Sequence, residues 1–286
     1  SRREAPGLYT SALAIELLHD FMLVHDDIID KSATRRGAPS MHAMLNHHLR
    51  SHTKVKFSGQ DLAIAAGDVM YAMAIHSFMA IKENMERKEK ALKNFIEAAI
   101  FTGSGEFIEL LAGTKHIKHI TQDDIYKIYD YKTAYYTFAS PLASGAILAG
   151  ASKKEIDALS TYGLCLGRAF QIKDDILGMF GNEAQIGKSA LTDLQEAKKT
   201  LLIWRAYHSG NNAEKRRIEK VFIKRTVQRS DLEEIKKIVV STGALAYARD
   251  EITKLTDTLH RLHTKSRMKT AYKHMLSSYA RSILSL

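Results

Sequence analysis

Apolar residues recur at spacings of three and four along almost the whole chain, and no stretch alternates convincingly with a period of two. This spacing places apolar side chains on one face of a helix, so it favours α-helices over β-strands. Only three prolines interrupt the 286 residues, at Pro6, Pro39 and Pro141. Proline breaks helices, and its scarcity allows long ones. The pattern therefore predicts an all-α fold.

The predicted helices follow one another without a long linker. Short breaks fall at residues 36–39, 111–114, 180–182 and 209–212, each of which contains glycine. No break is long enough, or low enough in complexity, to be an interdomain linker, so residues 1–286 are predicted to form one domain. The predicted helices cover approximately residues 12–29, 60–82, 89–111, 121–148, 154–177, 194–208, 212–225, 231–240, 244–263 and 269–284.

The formal net charge of +10 leaves three classes of explanation open. A nucleic-acid partner, an anionic substrate such as a diphosphate, and a solvated basic surface would each produce it. The densest basic clusters, at 215–217 and 265–269, lack the interleaved aromatic residues that stack on bases, so we predict no nucleic-acid partner. The single cysteine, Cys165, excludes an internal disulfide and fits a reducing cytoplasm.

One uncharged stretch of 20 residues lies between Lys132 and Lys153 and is long enough to cross a bilayer. It contains Pro141 and several threonines, serines and glycines, with little leucine, isoleucine or valine. A helix buried inside a bundle fits this composition better than a membrane span does. The first residues are polar and charged, unlike a signal peptide. We therefore predict a cytoplasmic protein with no stable membrane insertion.

Two acidic motifs lie within apolar helical surroundings. Asp26 and Asp30 are four residues apart, so their carboxylates share one helical face, about 6 Å apart, with Asp27 beside them. A second pair, Asp174 and Asp175, follows far downstream. Crowded carboxylates repel one another unless a cation joins them, and hard oxygen ligands suit Mg²⁺. The two motifs together predict a magnesium site.

Basic residues accompany both acidic motifs. Arg35 and Arg36 follow the first, Lys188 and Lys198 follow the second, and Lys132 lies between the two motifs. Guanidinium groups match phosphate oxygens in a bidentate geometry, and lysines neutralise phosphate charge. Each of these residues taken alone could be an ordinary surface charge. As a set with the acids, they indicate a site for a diphosphate.

In these acidic and basic motifs the chain resembles the trans-type isoprenyl diphosphate synthases over nearly its whole length. These enzymes are also called the polyprenyl synthetase family. The first acidic motif is the DDxxD motif of that family, and Thr-Arg-Arg-Gly-Ala-Pro follows it at 34–39. The second signature is Phe-Gln-Ile-Lys-Asp-Asp-Ile-Leu-Gly at 170–178. Supporting matches lie at 66–68, 132–133, 187–188, 193–194 and 196–200. The resemblance implies a single-domain helical bundle around a central cavity.

The resemblance also implies a reaction and its cofactor. Isopentenyl diphosphate would condense with an allylic diphosphate while about three Mg²⁺ ions hold the allylic diphosphate group. The metal ligands carried over are Asp26, Asp30 and Asp174, supported by Asp27 and Asp175.

The resemblance assigns substrate contacts to seven further positions. Arg35, Lys132, Lys188 and Lys198 would bind the allylic diphosphate, and Arg36 would bind isopentenyl diphosphate. Thr133 and Gln171 would lie beside the developing allylic cation, where their dipoles stabilise positive charge. Members of the family are commonly homodimers, so a homodimer is implied as well.

Bulky residues just before the first motif limit product length in this family. Phe21, five positions before Asp26, is of the type that stops growth at short chains, and an ideal helix places Met22 and Leu18 nearer the Asp26 face. With two residues between Asp27 and the last acid of the motif, the pattern is similar to archaeal short-chain synthases that make a twenty-carbon product. We predict geranylgeranyl diphosphate, with farnesyl diphosphate as the alternative.

The chain departs from the family pattern at several positions. The third acid of the second motif is Gly178, and the usual Gly-Gln pair is Gly105-Glu106. The upstream Gly-Lys-x-x-Arg-Pro segment does not occur, and we expect the upstream helices to be missing from this chain. A non-catalytic subunit of a hetero-oligomeric synthase is therefore a second hypothesis. A basic nucleic-acid-binding helical protein, which rests on charge alone, is a third. A terpene cyclase, which shares the aspartate clamp but has no need of the lysine set, ranks below the first two.

Overall fold

The computed structural model describes residues 7–52, 54–181, 190–266 and 268–285, and these are mostly helical, with one short hairpin. The all-α prediction is therefore confirmed. A π-helix, Asp130–Ala139, joins the α-helices Gln122–Tyr129 and Ser140–Leu148, and a 3₁₀ turn covers Ile117–His119. Strands β1 (Thr34–Arg35) and β2 (Ala38–Pro39) form a hairpin. The α-helices of the described residues, numbered α1 to α13 in chain order, are Leu8–Ile29, Met41–Leu49, Gly59–Met79, Met85–Thr114, Gln122–Tyr129, Ser140–Leu148, Lys153–Phe180, Thr192–Gln195, Leu201–Ser209, Asn212–Phe222, Arg229–Ser241, Ala244–Lys265 and Thr270–Leu284.

The core has two main parts, one beneath each acidic motif. Beneath the first motif, α1 packs on α3, and Leu18, Phe78 and Phe95 are buried there. Beneath the second motif, α7 packs with α9 and the helices that follow, and Ile172 and Leu201 are fully buried. Burial of each large apolar side chain stabilises the fold by about 1.5–3 kcal/mol. The helix that carries each motif is therefore held in place by a well-packed core.

The hairpin after α1 was not predicted. Its two turn residues, Arg36 and Gly37, have φ angles of 52° and 77°. Two successive residues with positive φ are typical of a type I′ turn, which suits the twist of a two-residue hairpin. The hairpin directs the chain back toward α1, so that Arg35 reaches the aspartates at the end of that helix.

The π-helix lies against glycines of two neighbouring helices. A Cβ atom on Gly105 of α4 would lie 2.5 Å from the backbone nitrogen of Lys132, and one on Gly167 of α7 would lie 2.4 Å from Cα of Ala134. Only glycine permits such close backbone approach. The π-helix carries Lys132 and Thr133, and π-type bulges often occur at functional sites.

Residues 194–208, predicted as one helix, form parts of two helices. α8 ends at Gln195 and α9 begins at Leu201, and between them Ala197 adopts a φ of 52°. A left-handed residue cannot continue an α-helix, so the prediction was wrong at this point. The break gives Lys198 its position, because the chain turns there toward the end of α1.

By length and composition, α3 is the one described helix that could cross a membrane. An 18-residue window of it has a mean hydropathy of 1.4, and 22% of that window is buried. The helix also contains Asp61 and Asp68, and it packs along α1 and α2. Ile64, Val69 and Met73 are its large exposed apolar side chains near the middle. This is weak evidence for a membrane span.

Candidate active site

The end of α1 presents the first acidic motif to Arg35. The Nε atom of Arg35 donates to Oδ1 of Asp27 at 2.7 Å, and its Nη2 atom donates to Oδ2 of Asp26 at 2.9 Å. Burial raises the pKa of Asp27 despite this pairing. Burial would also raise the pKa of Asp26, but Lys132, Lys198 and Arg35 outweigh it and lower that pKa. Asp26 is therefore charged at neutral pH.

Lys132 lies at the centre of the acidic cluster. Its Nζ atom lies 3.2 Å from Oδ1 of Asp26, 2.7 Å from Oε2 of Glu106 and 2.6 Å from Oε2 of Glu109. Burial would lower the pKa of Lys132, but the carboxylates of Glu109, Asp26 and Glu106 outweigh it and raise that pKa. The sequence interpretation assigned no role to either glutamate. Their spacing of three on one helix face was the available signal.

Lys198 connects the first motif to the segment after α8. Its Nζ atom lies 2.8 Å from Oδ2 of Asp30, 2.9 Å from Oε2 of Glu196 and 4.0 Å from Oδ1 of Asp193. Burial raises the pKa of Glu196 to about 7. The structure thus brings Lys198 to the first motif, and its contact with the diphosphate stays a prediction.

Thr133 and Gln171 belong to a hydrogen-bonded chain that ends in the core. The hydroxyl of Thr133 donates to Oε1 of Gln171 at 2.7 Å, and Nε2 of Gln171 donates to Oδ1 of Asp175 at 3.1 Å. The Tyr129 hydroxyl donates to Oδ2 of Asp175 and accepts from the backbone N–H of Leu201 at 2.9 Å. This chain fixes the two residues expected beside the allylic cation.

Asp175 is more deeply buried than its assigned role suggests. It is 6% exposed, and burial raises its pKa well above the usual range. Both of its oxygens accept hydrogen bonds from protein groups, Tyr129 and Gln171. Its neighbour Asp174 is half-buried. The geometry gives Asp175 a positioning role, and its supporting metal role stays a prediction.

A substitution of Tyr129 tests how much this buried chain contributes to stability. Tyr129→Phe leaves the N–H of Leu201 and one oxygen of Asp175 without their partner. We expect the free energy of unfolding in urea to fall by about 2–3 kcal/mol, because unsatisfied buried polar groups are costly. Tyr126→Phe is the control, since Tyr126 is only partly buried and Glu251, which accepts from its hydroxyl, keeps Lys254 as a partner. Equal losses in the two variants would contradict the prediction.

The remaining predicted substrate contacts are Arg36 and Lys188. Arg36 is exposed at the hairpin turn. Lys188 lies outside the described residues. A Cβ atom on Gly178 would lie 3.2 Å from Oδ2 of Asp193. The second motif has Gly178 in place of a third acid, and the carboxylate of Asp193 from α8 lies beside that glycine.

The site offers a donor set for a hard divalent cation. Among the described residues, Asp26, Asp30 and Glu106 each place a carboxylate oxygen within 4.8 Å of the others. The Oε1 atom of Glu106 is buried, and no described residue forms a hydrogen bond with it. Half-buried carboxylate oxygens at this spacing fit Mg²⁺, which prefers oxygen ligands.

The three chain-length candidates lie in or beside the core under the first motif. Leu18 is 2% exposed and belongs to that core, and Met22 packs against it. The ring of Phe21 lies 4.7 Å from the ring of His25 and 5.0 Å from the ring of Tyr71 on α3. Phe21 therefore faces α3.

The fold is an all-helical bundle whose acidic helix faces contact lysine and arginine side chains, with a series of hydrogen-bonded polar side chains beside them. This combination is typical of isoprenoid synthases. The family model for polyprenyl synthetases matches residues 2–239. The chain therefore belongs to the polyprenyl synthetase family.

Relatives of known name agree with this assignment. The geranylgeranyl diphosphate synthase of Saccharolobus solfataricus is 32% identical over 251 residues, which are 87% of this chain and 70% of that protein. A short chain isoprenyl diphosphate synthase of Methanothermobacter thermautotrophicus is 32% identical over 72% of this chain. The match spans 58% of the length of that relative, less than two thirds.

The fold matches that of a solved synthase. The crystal structure of geranylgeranyl pyrophosphate synthase from Corynebacterium glutamicum, complexed with isoprenyl diphosphate and magnesium, superposes with a TM-score of 0.89. The two chains are 26% identical, and the match covers 99% of this chain and 80% of the other.

Proposed function

We propose that this chain is a short-chain trans-prenyltransferase that condenses isopentenyl diphosphate with allylic diphosphates of five, ten or fifteen carbons. Geranylgeranyl diphosphate is the proposed product, and farnesyl diphosphate is the alternative. One observation carries the proposal: Lys132 and Lys198 contact Asp26 and Asp30 of the first motif, and Thr133, beside Lys132, bonds to Gln171 of the second. The retained aspartates argue against a non-catalytic subunit or a basic nucleic-acid-binding protein.

The carboxylates of the two motifs are the proposed holders of magnesium. Asp26, Asp30 and Asp174 would bind about three ions together with the diphosphate, supported by Asp27 and Asp175. Bound magnesium would supply charge stabilisation to the diphosphate as it leaves.

The cationic side chains complete the neutralisation of the diphosphate. Arg35 contacts Asp26 and Asp27 through its guanidinium group and keeps further donors for phosphate oxygens. Lys132 and Lys198 each have three donors and contact Asp26 and Asp30 of the first motif, respectively. Each would bind the allylic diphosphate, with Lys188 as a further proposed contact.

Thr133 and Gln171 would stabilise positive charge on the allylic carbon. Because the Thr133 hydroxyl donates to Gln171, the lone pairs of the Thr133 oxygen point away from that amide. Preorganised dipoles of this kind lower the barrier to charge development without reorganising during the reaction. The exposed Arg36 would bind isopentenyl diphosphate, whose double bond attacks the cation, and the departing diphosphate would take the proton.

The function is tested with purified protein, magnesium, isopentenyl diphosphate and each allylic primer in turn. Chromatography of the extracted products should show a twenty-carbon diphosphate, and chelation with EDTA should abolish its formation. A farnesyl product would favour the alternative. No consumption of any primer by the full-length protein alone would favour the non-catalytic subunit.

Product length is proposed to depend on the residues stacked below Asp26. Met22 and Leu18 lie one and two turns before Asp26 on the same face of α1, whereas Phe21 faces α3. We expect Met22→Ala to lengthen the main product by at least one five-carbon unit, because it opens space beneath the diphosphate site. Phe21→Ala should change product length less. The same chromatography measures both, and a longer product from the Phe21 variant alone would contradict the prediction.

We further propose that residues 1–286 form one synthase domain and that the chain acts as a cytoplasmic homodimer without stable membrane insertion. α4 exposes Ile100, Phe107 and Leu111 at spacings of seven and four, so they share one helix face. A second copy would cover such a stripe, as subunit interfaces bury apolar helix faces. Size-exclusion chromatography with light scattering would test this, and a monomer at micromolar concentration would contradict it.

A further inference from the structure

Glu106 is a carboxylate at the centre of the site to which the proposed reaction assigns no role. Its side chain is 14% exposed, and its Oε2 atom lies 2.7 Å from Nζ of Lys132. Its Oε1 atom is buried and, within the described ranges, has no hydrogen-bond partner. A buried carboxylate oxygen without a donor is costly unless another group supplies positive charge.

The packing of α4 explains why Glu106 reaches this position. Gly105 lets the backbone of α4 approach the π-helix, and the side chain of the next residue therefore meets Lys132. Glu106 then joins Asp26 and Asp30, with oxygens of all three carboxylates within 4.8 Å of one another. These oxygens come from the C-terminal end of α1, with Asp30 directly after it, and from α4, so a shared cation would connect the two helices.

Glu109, one turn further along α4, provides an internal comparison. Its Oε2 atom lies 2.6 Å from Nζ of Lys132, so it contacts the same ammonium group as Glu106 does. Glu109 is not part of the described three-carboxylate group. The two glutamates therefore share a partner but differ in their access to the cation position.

We propose that Glu106 is a third protein ligand for the divalent cation held by Asp26 and Asp30, and that this site binds the cation before any diphosphate arrives. Magnesium usually takes one or two protein carboxylates and relies on substrate phosphates for the rest. A third carboxylate adds a ligand and a negative charge, so the affinity depends less on the substrate. The inference rests on the proposed magnesium clamp but not on the prenyl substrate.

Titration with Mn²⁺ in the absence of any diphosphate tests this proposal. Free Mn²⁺ is followed by electron paramagnetic resonance with the full chain, Glu106→Gln and Glu109→Gln, and circular dichroism checks that each variant is folded. We expect the wild type to bind Mn²⁺, Glu106→Gln to bind it about tenfold more weakly, and Glu109→Gln to stay within about twofold of the wild type.

The control separates ligation from charge, because each substitution removes one negative charge next to Lys132. Equal weakening in both variants would mean a general electrostatic effect and would overturn the proposal. It would also be overturned by unchanged binding in Glu106→Gln, or by a wild type that binds no Mn²⁺ without diphosphate. These outcomes are independent of turnover, so the proposed reaction could stand while this inference fails.

Discussion

Replacement of Asp26 by asparagine should lower kcat/KM for the allylic diphosphate by at least about 10³-fold, because removing preorganised charge at a reacting group has effects of this size. Asp26 contacts both Arg35 and Lys132, and its pKa is lowered despite burial, so the native side chain is anionic at neutral pH. Asparagine keeps the shape and one acceptor but removes the charge that a cation requires. Steady-state assays at saturating magnesium measure the change.

Asp123→Asn is the matched control for this substitution. Asp123 is exposed in the first turn of α5, where an acid favours the helix start but meets no part of the site. We expect its kcat/KM to equal that of the wild type. An Asp26→Asn enzyme within about tenfold of the wild type would refute the catalytic role, since a charge essential to the transition state contributes more than that.

The sequence predicts those parts of the fold and site that depend on local pattern. Apolar spacing located most of the helices, because helical periodicity is a property of neighbouring residues. The spacing of Asp26 and Asp30 placed both on one face, and the structure brings their oxygens together with that of Glu106. The basic residues around the two motifs, together with the family resemblance, indicated Lys132 and Lys198 as diphosphate ligands, but spacing alone could not connect either lysine to the first motif.

The parts that the sequence did not predict depend on long-range packing. The π-helix follows from glycines of α4 and α7 that lie far away in the sequence, so no local pattern indicates it. The break at Ala197 requires an unfavourable left-handed φ in a residue that favours helices. The role of Glu106 depends on how α4 meets α1 and the π-helix, although its departure from the family pattern was visible.

Lys132→Met should reduce both stability and turnover, and magnesium should separate the two effects. The substitution leaves the carboxylates of Asp26, Glu106 and Glu109 without the ammonium group that they share. Because uncompensated charges in a largely buried site repel one another, we expect the free energy of unfolding to fall by about 2–4 kcal/mol without magnesium. Turnover should fall by about 10²-fold or more through loss of a diphosphate contact.

Urea unfolding with and without magnesium, together with steady-state assays, measures the two effects. Magnesium should restore most of the lost stability, since a divalent cation can neutralise the same carboxylates and binding to the folded state stabilises it. Turnover, which needs magnesium in the wild type as well, should stay about 10²-fold below that of the wild type at the same saturating magnesium, because the cation cannot also replace a lysine that contacts the diphosphate. Lys127→Met, which removes an exposed lysine of α5, should change neither quantity. If the Lys132→Met variant turns over like the wild type at saturating magnesium, then Lys132 serves only to neutralise the acidic cluster and does not contact the substrate.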